Sequence, residues 1–101
     1  MENPYPALSF ALGSKAGAAG WKDAHEAVQT GALVVAQTQY DYAEHDLTVY
    51  AAEQARRYLR QVVEPMHLTP RQNVNLFAVY THAYINGALD EAAKQAGQDR
   101  E

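Results

Sequence analysis

The chain contains no cysteine, which excludes a disulfide framework, a zinc ribbon and thiol catalysis. It also has no apolar run near the ~20 residues that a membrane-spanning helix needs, since the longest is Ala32–Ala36. The first charge is acidic, and the apolar stretch Ala7–Leu12 is shorter than the ~7–15 residues of a signal-peptide core. We therefore expect a cytoplasmic protein with no membrane segment.

Basic residues are also scarce, because 8 Lys and Arg face 12 Asp and Glu and leave a net charge of −4. This balance argues against a nucleic-acid binder of the usual basic kind. What the chain does have is length and apolar content for one domain: 101 residues, of which 48% are hydrophobic. No internal repeat or catalytic motif accompanies that core, and the oligomeric state stays open, with a homodimer compatible.

Proline and glycine predict the organisation of the N-terminal part. Pro4 and Pro6 favour extended geometry, and the glycine-rich stretch Gly13–Gly20 predicts a flexible linker, so residues 1–20 are expected to be an arm. A short helix should follow over Trp21–Gln29 and end at Gly31. The helical domain is then expected to span 21–97, with a frayed tail over 98–101.

The middle of the chain is ambiguous between helix and strand. Apolar residues keep a helical period from Ala32 to Val63, which favours one long helix with a break near His45, where Asp46 would cap the next segment. The run Leu33–Gln39 also has strand propensity, so a strand there is the alternative.

The last helix has the clearest signals. Thr69 and Gln72 form a capping-box pattern with Pro70 at the first helical position, and Phe77 lies at the centre of a broad apolar face. The turn before it is short, which predicts that the helices about Asp46–Val63 and Pro70–Ala96 pack antiparallel. The predicted fold is all-α, a small helical bundle built on a long helical hairpin.

Histidine offers little chemistry, because the four histidines show no spacing specific for metal. His82, Asn86 and Asp90 share one stripe of the last helix but would need a ligand from a facing helix. A small ligand- or metal-binding bundle is therefore a second alternative. We predict no enzyme, no catalytic residue, no bound metal and no cofactor.

Four arginines surround the predicted turn and suggest another alternative, a helical DNA-binding regulator. They are Arg56, Arg57, Arg60 and Arg71. Gln72, Asn73 and Asn75 follow them, and these residue types read base edges. The helices look long for a helix-turn-helix, the chain is acidic, and the pairs Glu53–Arg57 and Arg60–Glu64 can neutralise two arginines locally. Binding to nucleic acid is therefore not the favoured prediction.

Acids and tyrosines dominate the centre of the chain. No Lys or Arg lies between Asp23 and Glu53, and seven of the aromatic residues are tyrosines, a residue favoured at binding surfaces. The densest group is Asp41, Tyr42, Glu44 and Asp46. We predict that this group docks on a basic surface of a larger partner protein.

The favoured function is a non-enzymatic inhibitor or regulator that acts by docking on that partner. Short, acidic chains of this kind resemble in style the accessory inhibitors of phages and mobile elements, such as anti-CRISPR proteins, although no residue motif carries the resemblance. If the partner handles nucleic acid, the acids would compete with phosphates for its Arg and Lys side chains.

Overall fold

The computed structural model describes the backbone of residues 5–35 and 40–99 and the side chains of residues 11–35 and 47–97. Three helices make up most of it: α1 (Tyr5–Gln29), α2 (Tyr40–Tyr58) and α3 (Pro70–Asp99). The described residues contain no strand, so the all-α prediction is confirmed. No helix in the described part of the chain is long and apolar enough to cross a membrane.

The prediction of an arm and flexible linker over residues 1–20 is wrong from Tyr5 onward, because α1 runs through the glycine-rich stretch without a break. One glycine of this stretch, Gly20, and one glycine of α3, Gly87, lie where the two helices pack together. A Cβ on Gly20 would lie 2.6 Å from the Tyr80 carbonyl oxygen, and one on Gly87 of α3 would lie 2.9 Å from the Trp21 carbonyl oxygen. Contact with α3 therefore offsets the cost of glycine in a helix interior.

The two helices that meet at these glycines run parallel. Gly17 lies beside Val79, Gly20 beside Ala83, and His25 beside Asp90, so the paired positions advance together along both helices. Small residues on the facing sides of α1 and α3 allow the two backbones to approach closely. Larger side chains at such a contact would hold the helix axes about 8–10 Å apart.

The predicted end of the first helix is confirmed, but the predicted helix over residues 32–35 is wrong. Gly31 has φ 82°, and the chain then continues without regular structure through Val35. The Leu33 N–H donates to the Ala27 carbonyl oxygen at 3.0 Å, and the Leu33 side chain packs against the core. Residues 33–35 therefore form neither the predicted helix nor the alternative strand. Residues 36–39 lie outside the described residues.

The second helix begins at Tyr40 and continues through the predicted break near His45, so Asp46 lies within it and does not cap it. At its other end a π-helical turn spans Leu59–Val63, closed by the Glu64 N–H donating to the Leu59 carbonyl oxygen. A 3₁₀ turn over Glu64–Met66 follows, and His67 takes a left-handed conformation with φ 55°.

The start of α3 confirms the predicted capping box. The Thr69 N–H donates to Gln72 Oε1 at 2.9 Å, and the Gln72 N–H donates to Thr69 Oγ1 at 3.2 Å. The backbone of α3 continues through Asp99, two residues beyond the predicted end of the helical domain, and residues 100 and 101 lie outside the described residues.

The main core lies where α3 meets the other two helices. Its buried members come from all three helices: Ala24, Val28, Leu47, Ala51, Ala55, Tyr80, Tyr84 and Ala88. The prediction that Phe77 is central is wrong, since Phe77 is only half-buried and Tyr84 is 2% exposed. Close backbone contacts join α1 to α3 and α2 to α3, whereas the described parts of α1 and α2 barely approach each other.

Candidate functional site: a tyrosine-lined groove

A groove with a volume of about 370 Å³ lies between α1 and α2, in the space that their separation leaves. One stripe of each flanking helix forms a wall. The α1 wall is Asp23, Glu26 and Ala27, continued by Thr30 just beyond the helix. The α2 side is Tyr50, Gln54, Arg57 and Tyr58, continued by Gln61. Tyr80 and Tyr84 of α3 complete the lining. The volume is within the range of small-ligand pockets.

Four tyrosine rings lie in a continuous row of contacts along this groove. Tyr58 stacks on Tyr80 with ring centroids 4.8 Å apart, and Tyr80 stacks on Tyr84 with centroids 6.0 Å apart. Tyr50 extends the row, its ring tilted by 48° to that of Tyr84 with the centroids 5.9 Å apart. Such contacts stabilise aromatic pairs beyond the area they bury, so the groove has a preformed aromatic wall.

The phenols of Tyr58, Tyr80 and Tyr84 stay neutral near neutral pH. Burial raises the pKa of Tyr80 far above its ordinary value, and the hydrogen bond that its hydroxyl donates to Asp23 Oδ2 at 2.5 Å raises it further. Burial likewise raises the pKa of Tyr84 and of Tyr58. These three side chains therefore line the groove as neutral phenols.

Two carboxylates and one guanidinium set the charge of the groove, from Asp23, Glu26 and Arg57. Among the described residues, neither carboxylate has a basic group within 4 Å, and Asp23 accepts its hydrogen bond from a neutral phenol. Within the described residues, the α1 wall of the groove therefore carries two carboxylates that form no ion pair.

The docking group predicted from the sequence cannot be compared with this groove. The backbone of Asp41, Tyr42, Glu44 and Asp46 belongs to α2, but their side chains lie outside the described residues. The prediction that they contact a partner stays a prediction.

The arginines of the DNA-binding alternative lie against different features. Arg57 lines the groove, Arg56 lies over the Phe77 ring with its guanidinium carbon 5.8 Å from the centroid, and Arg60 lines a separate cavity with Glu64. Arg71 is exposed in the first turn of α3. In the described part of the chain, neither predicted pair, Glu53–Arg57 or Arg60–Glu64, forms an ion pair within 4 Å.

The histidine stripe of α3 is also divided, because His82 and Asn86 are exposed while Asp90 faces α1. Asp90 Oδ2 lies 3.0 Å from His25 Nε2 and 3.1 Å from Lys94 Nζ. His25 Nδ1 lies 2.8 Å from the Trp21 carbonyl oxygen. The described residues contain no group of three or more His, Asp and Glu that could hold a metal ion.

The sequence alone did not predict the groove. The high tyrosine content indicated a binding surface, but it did not show which rings meet. Asp23 and Glu26 lie on one face in the interior of α1, and the pattern of a single helix does not show which helix lies opposite that face.

Comparisons with models of protein families, with curated proteins and with solved structures find no match. The groove therefore has to be interpreted from its own residues and geometry.

Proposed function

We propose that this protein is a non-enzymatic binding module that docks on a basic surface of a larger partner protein, as an inhibitor or regulator. Its contact surface is the tyrosine-lined groove between α1 and α2. The observation that carries the proposal is the combination, in one open groove, of four contacting tyrosines with the carboxylates of Asp23 and Glu26, which form no ion pair with any described residue. Tyrosine supplies rigid contact area with a polar end, and unpaired charge selects the partner.

The state of the phenols also supports binding over catalysis. A phenol whose pKa is raised by burial is a poor proton donor near neutral pH and leaves no phenolate to act as a base. The Tyr80 hydroxyl already donates its one proton to Asp23, so it has no further O–H to offer a docked chain.

The groove needs a rigid frame, and we propose that the hairpin of α2 and α3 provides it within a small bundle. Tyr50 contacts Tyr84 and Tyr58 contacts Tyr80, so the paired positions advance in opposite directions on the two helices. This order supports an antiparallel hairpin. Sites supported by helices keep their geometry better than sites built on loops.

Site-specific photo-crosslinking in lysate of the organism that encodes the protein tests the proposal. A photoreactive residue replaces Gln54 in the groove or, as a control, Val74, which is 65% exposed on α3 and lies outside the groove. We expect a discrete adduct from position 54 and none from position 74. The adduct should weaken as salt is raised, because screening shortens the range of surface charge to about 8 Å near 0.15 M.

Charge reversals then separate the competing surfaces. Glu26→Lys should abolish the adduct, whereas Glu53→Lys, which reverses an exposed acid outside the groove, should leave it unchanged. The double reversal Asp41→Lys with Glu44→Lys tests the sequence-predicted surface. Loss only with that double reversal would place docking there, and loss only with reversal of Arg56, Arg60 and Arg71, which lie outside the groove, would favour the arginine surface of the alternative. An adduct that survives all three sets contradicts the proposal.

A further inference from the structure

We infer that the groove is built to receive an arginine side chain of the partner. The inference rests on the proposed function only in using the same groove. It names the chemical group that enters, a guanidinium held between the acidic wall of α1 and the tyrosines. The reasons lie in the charge, the aromatic surface and the shape of the site.

Charge gives the first reason. Asp23 and Glu26 lie three residues apart on one face of α1, so their carboxylates border the same part of the groove. They have no basic partner within 4 Å among the described residues, and the groove's own arginine, Arg57, does not pair with either. An entering cation would thus form charge-assisted hydrogen bonds that the free protein lacks.

The aromatic surface gives the second reason. Cations are attracted to the faces of tyrosine rings, and Tyr58 and Tyr50 are only partly buried at the groove. The chain already shows this type of contact, since the Arg56 guanidinium lies over the Phe77 ring. A guanidinium in the groove would repeat that contact beside two carboxylates.

Shape favours arginine over lysine. A guanidinium is planar, so it can stack on a ring and at the same time donate in a fork to a carboxylate, whereas an ammonium is a compact and strongly hydrated charge. The groove offers both partners side by side, a ring stack and a carboxylate wall. A site that recognised only positive charge, as a lysine site would, needs carboxylates but no aromatic rings to stack on.

A titration with short peptides, followed by the backbone amide shifts of the isotope-labelled full chain, tests this. The probes are acetyl-Gly-Arg-Gly-amide, the lysine peptide, and the citrulline peptide, which has nearly the shape of arginine without its charge. We expect saturable shifts at Ala27, Thr30 and Gln54, with the arginine peptide binding about tenfold more tightly than the citrulline peptide. Lysine should fall between them.

Two conservative variants and a matched control locate the cation. Asp23→Asn keeps an oxygen that can accept from the Tyr80 hydroxyl, and Glu26→Gln keeps the side-chain length, so both should fold. Each should weaken the arginine peptide about threefold to tenfold. Glu53→Gln removes the same charge outside the groove and should change little.

The outcomes separate the two proposals. Equal binding of arginine and citrulline peptides in the groove overturns the arginine inference and leaves the docking function standing. Arginine-peptide binding without any crosslink from position 54 overturns the docking function and leaves a groove that binds a guanidinium without a protein partner. Equal weakening by Glu53→Gln shows general charge attraction and overturns the inference, as does the absence of shifts with all three peptides.

Discussion

The two flanks of α3 differ sharply in how they are packed. On the α1 flank, Gly20 and Gly87 bring two backbones so close that a single Cβ would meet a carbonyl oxygen at 2.6 or 2.9 Å. On the α2 flank, large rings fill the interface, as Tyr58 stacks on Tyr80 and Tyr50 contacts Tyr84. One helix thus uses its smallest residues toward one neighbour and its largest toward the other.

This difference explains why the groove exists. Small residues draw α1 against α3, and tyrosines hold α2 on the other side, so α1 and α2 have no comparable interface of their own. The tyrosines that separate the helices also line the space between them. The packing that stabilises the fold and the surface proposed to bind a partner therefore share the same four rings.

The largest effect is expected on the tyrosine flank. Tyr84→Ala should lower the free energy of unfolding by about 3–5 kcal/mol, because it removes a ring that is 2% exposed and in contact with two other rings. Denaturant unfolding measures it. Phe77→Ala is the matched control and should cost clearly less, since Phe77 is half-buried. Equal losses would mean that Phe77, as the sequence predicted, is as central as Tyr84.

A smaller effect is expected on the glycine flank. Gly20→Ala should destabilise the fold by about 1–3 kcal/mol, because the new methyl group meets backbone, which cannot move aside as a flexible side chain can. Gly13→Ala lies in the same helix, where a Cβ would meet nothing within 4 Å, and should stabilise by up to about 1 kcal/mol. Thermal unfolding of both variants compares them directly. If Gly20→Ala also stabilised, the close approach of α1 and α3 would be refuted.

Much of the fold could be predicted because its signals are local. The capping box at Thr69, the glycine stop at Gly31 and the helical period of α3 depend on neighbours in sequence. The continuous α1 could not be predicted in this way, since glycines at 13, 17 and 20 weaken a helix on its own. Only contact with α3, more than fifty residues away in the chain, makes Gly20 suitable there.

The candidate site was harder to predict than the fold for the same reason. Tyrosine abundance indicated a binding surface, but which rings meet depends on the pairing of α2 with α3. The pairing of Asp23 with Tyr80 joins residues 57 positions apart. Periodicity places a residue on a face of its own helix and says nothing of the helix opposite.

The smallest predicted effect is a pH dependence of stability. It again concerns the contact of α1 with α3, at the hydrogen bond between His25 and Asp90. His25 faces the Trp21 carbonyl oxygen through Nδ1 and Asp90 through Nε2, so both ring nitrogens face acceptors. The bond to Trp21, reinforced by Asp90 and Glu91, raises the pKa of His25 above its ordinary value. The His25 hydrogen bond, followed by that from Lys94, lowers the pKa of Asp90.

These shifts give the pair a defined pH window. A histidine with a raised folded pKa contributes stability that is complete below its unfolded pKa of about 6.5 and disappears as pH rises through the folded value. A carboxyl with a lowered pKa contributes stability that is complete above its unfolded pKa of about 3.9 and is lost as pH falls through its folded pKa.

The double-mutant coupling of His25→Gln with Asp90→Asn should therefore be larger at about pH 5.5 than at about pH 8.5. Lys94 contacts Asp90 at both pH values, so the coupling of Lys94→Gln with Asp90→Asn should stay constant over that range. A His25 coupling that is equally constant would show that a neutral imidazole makes the contact with α3, and that the α1 flank depends on its glycines without help from charge.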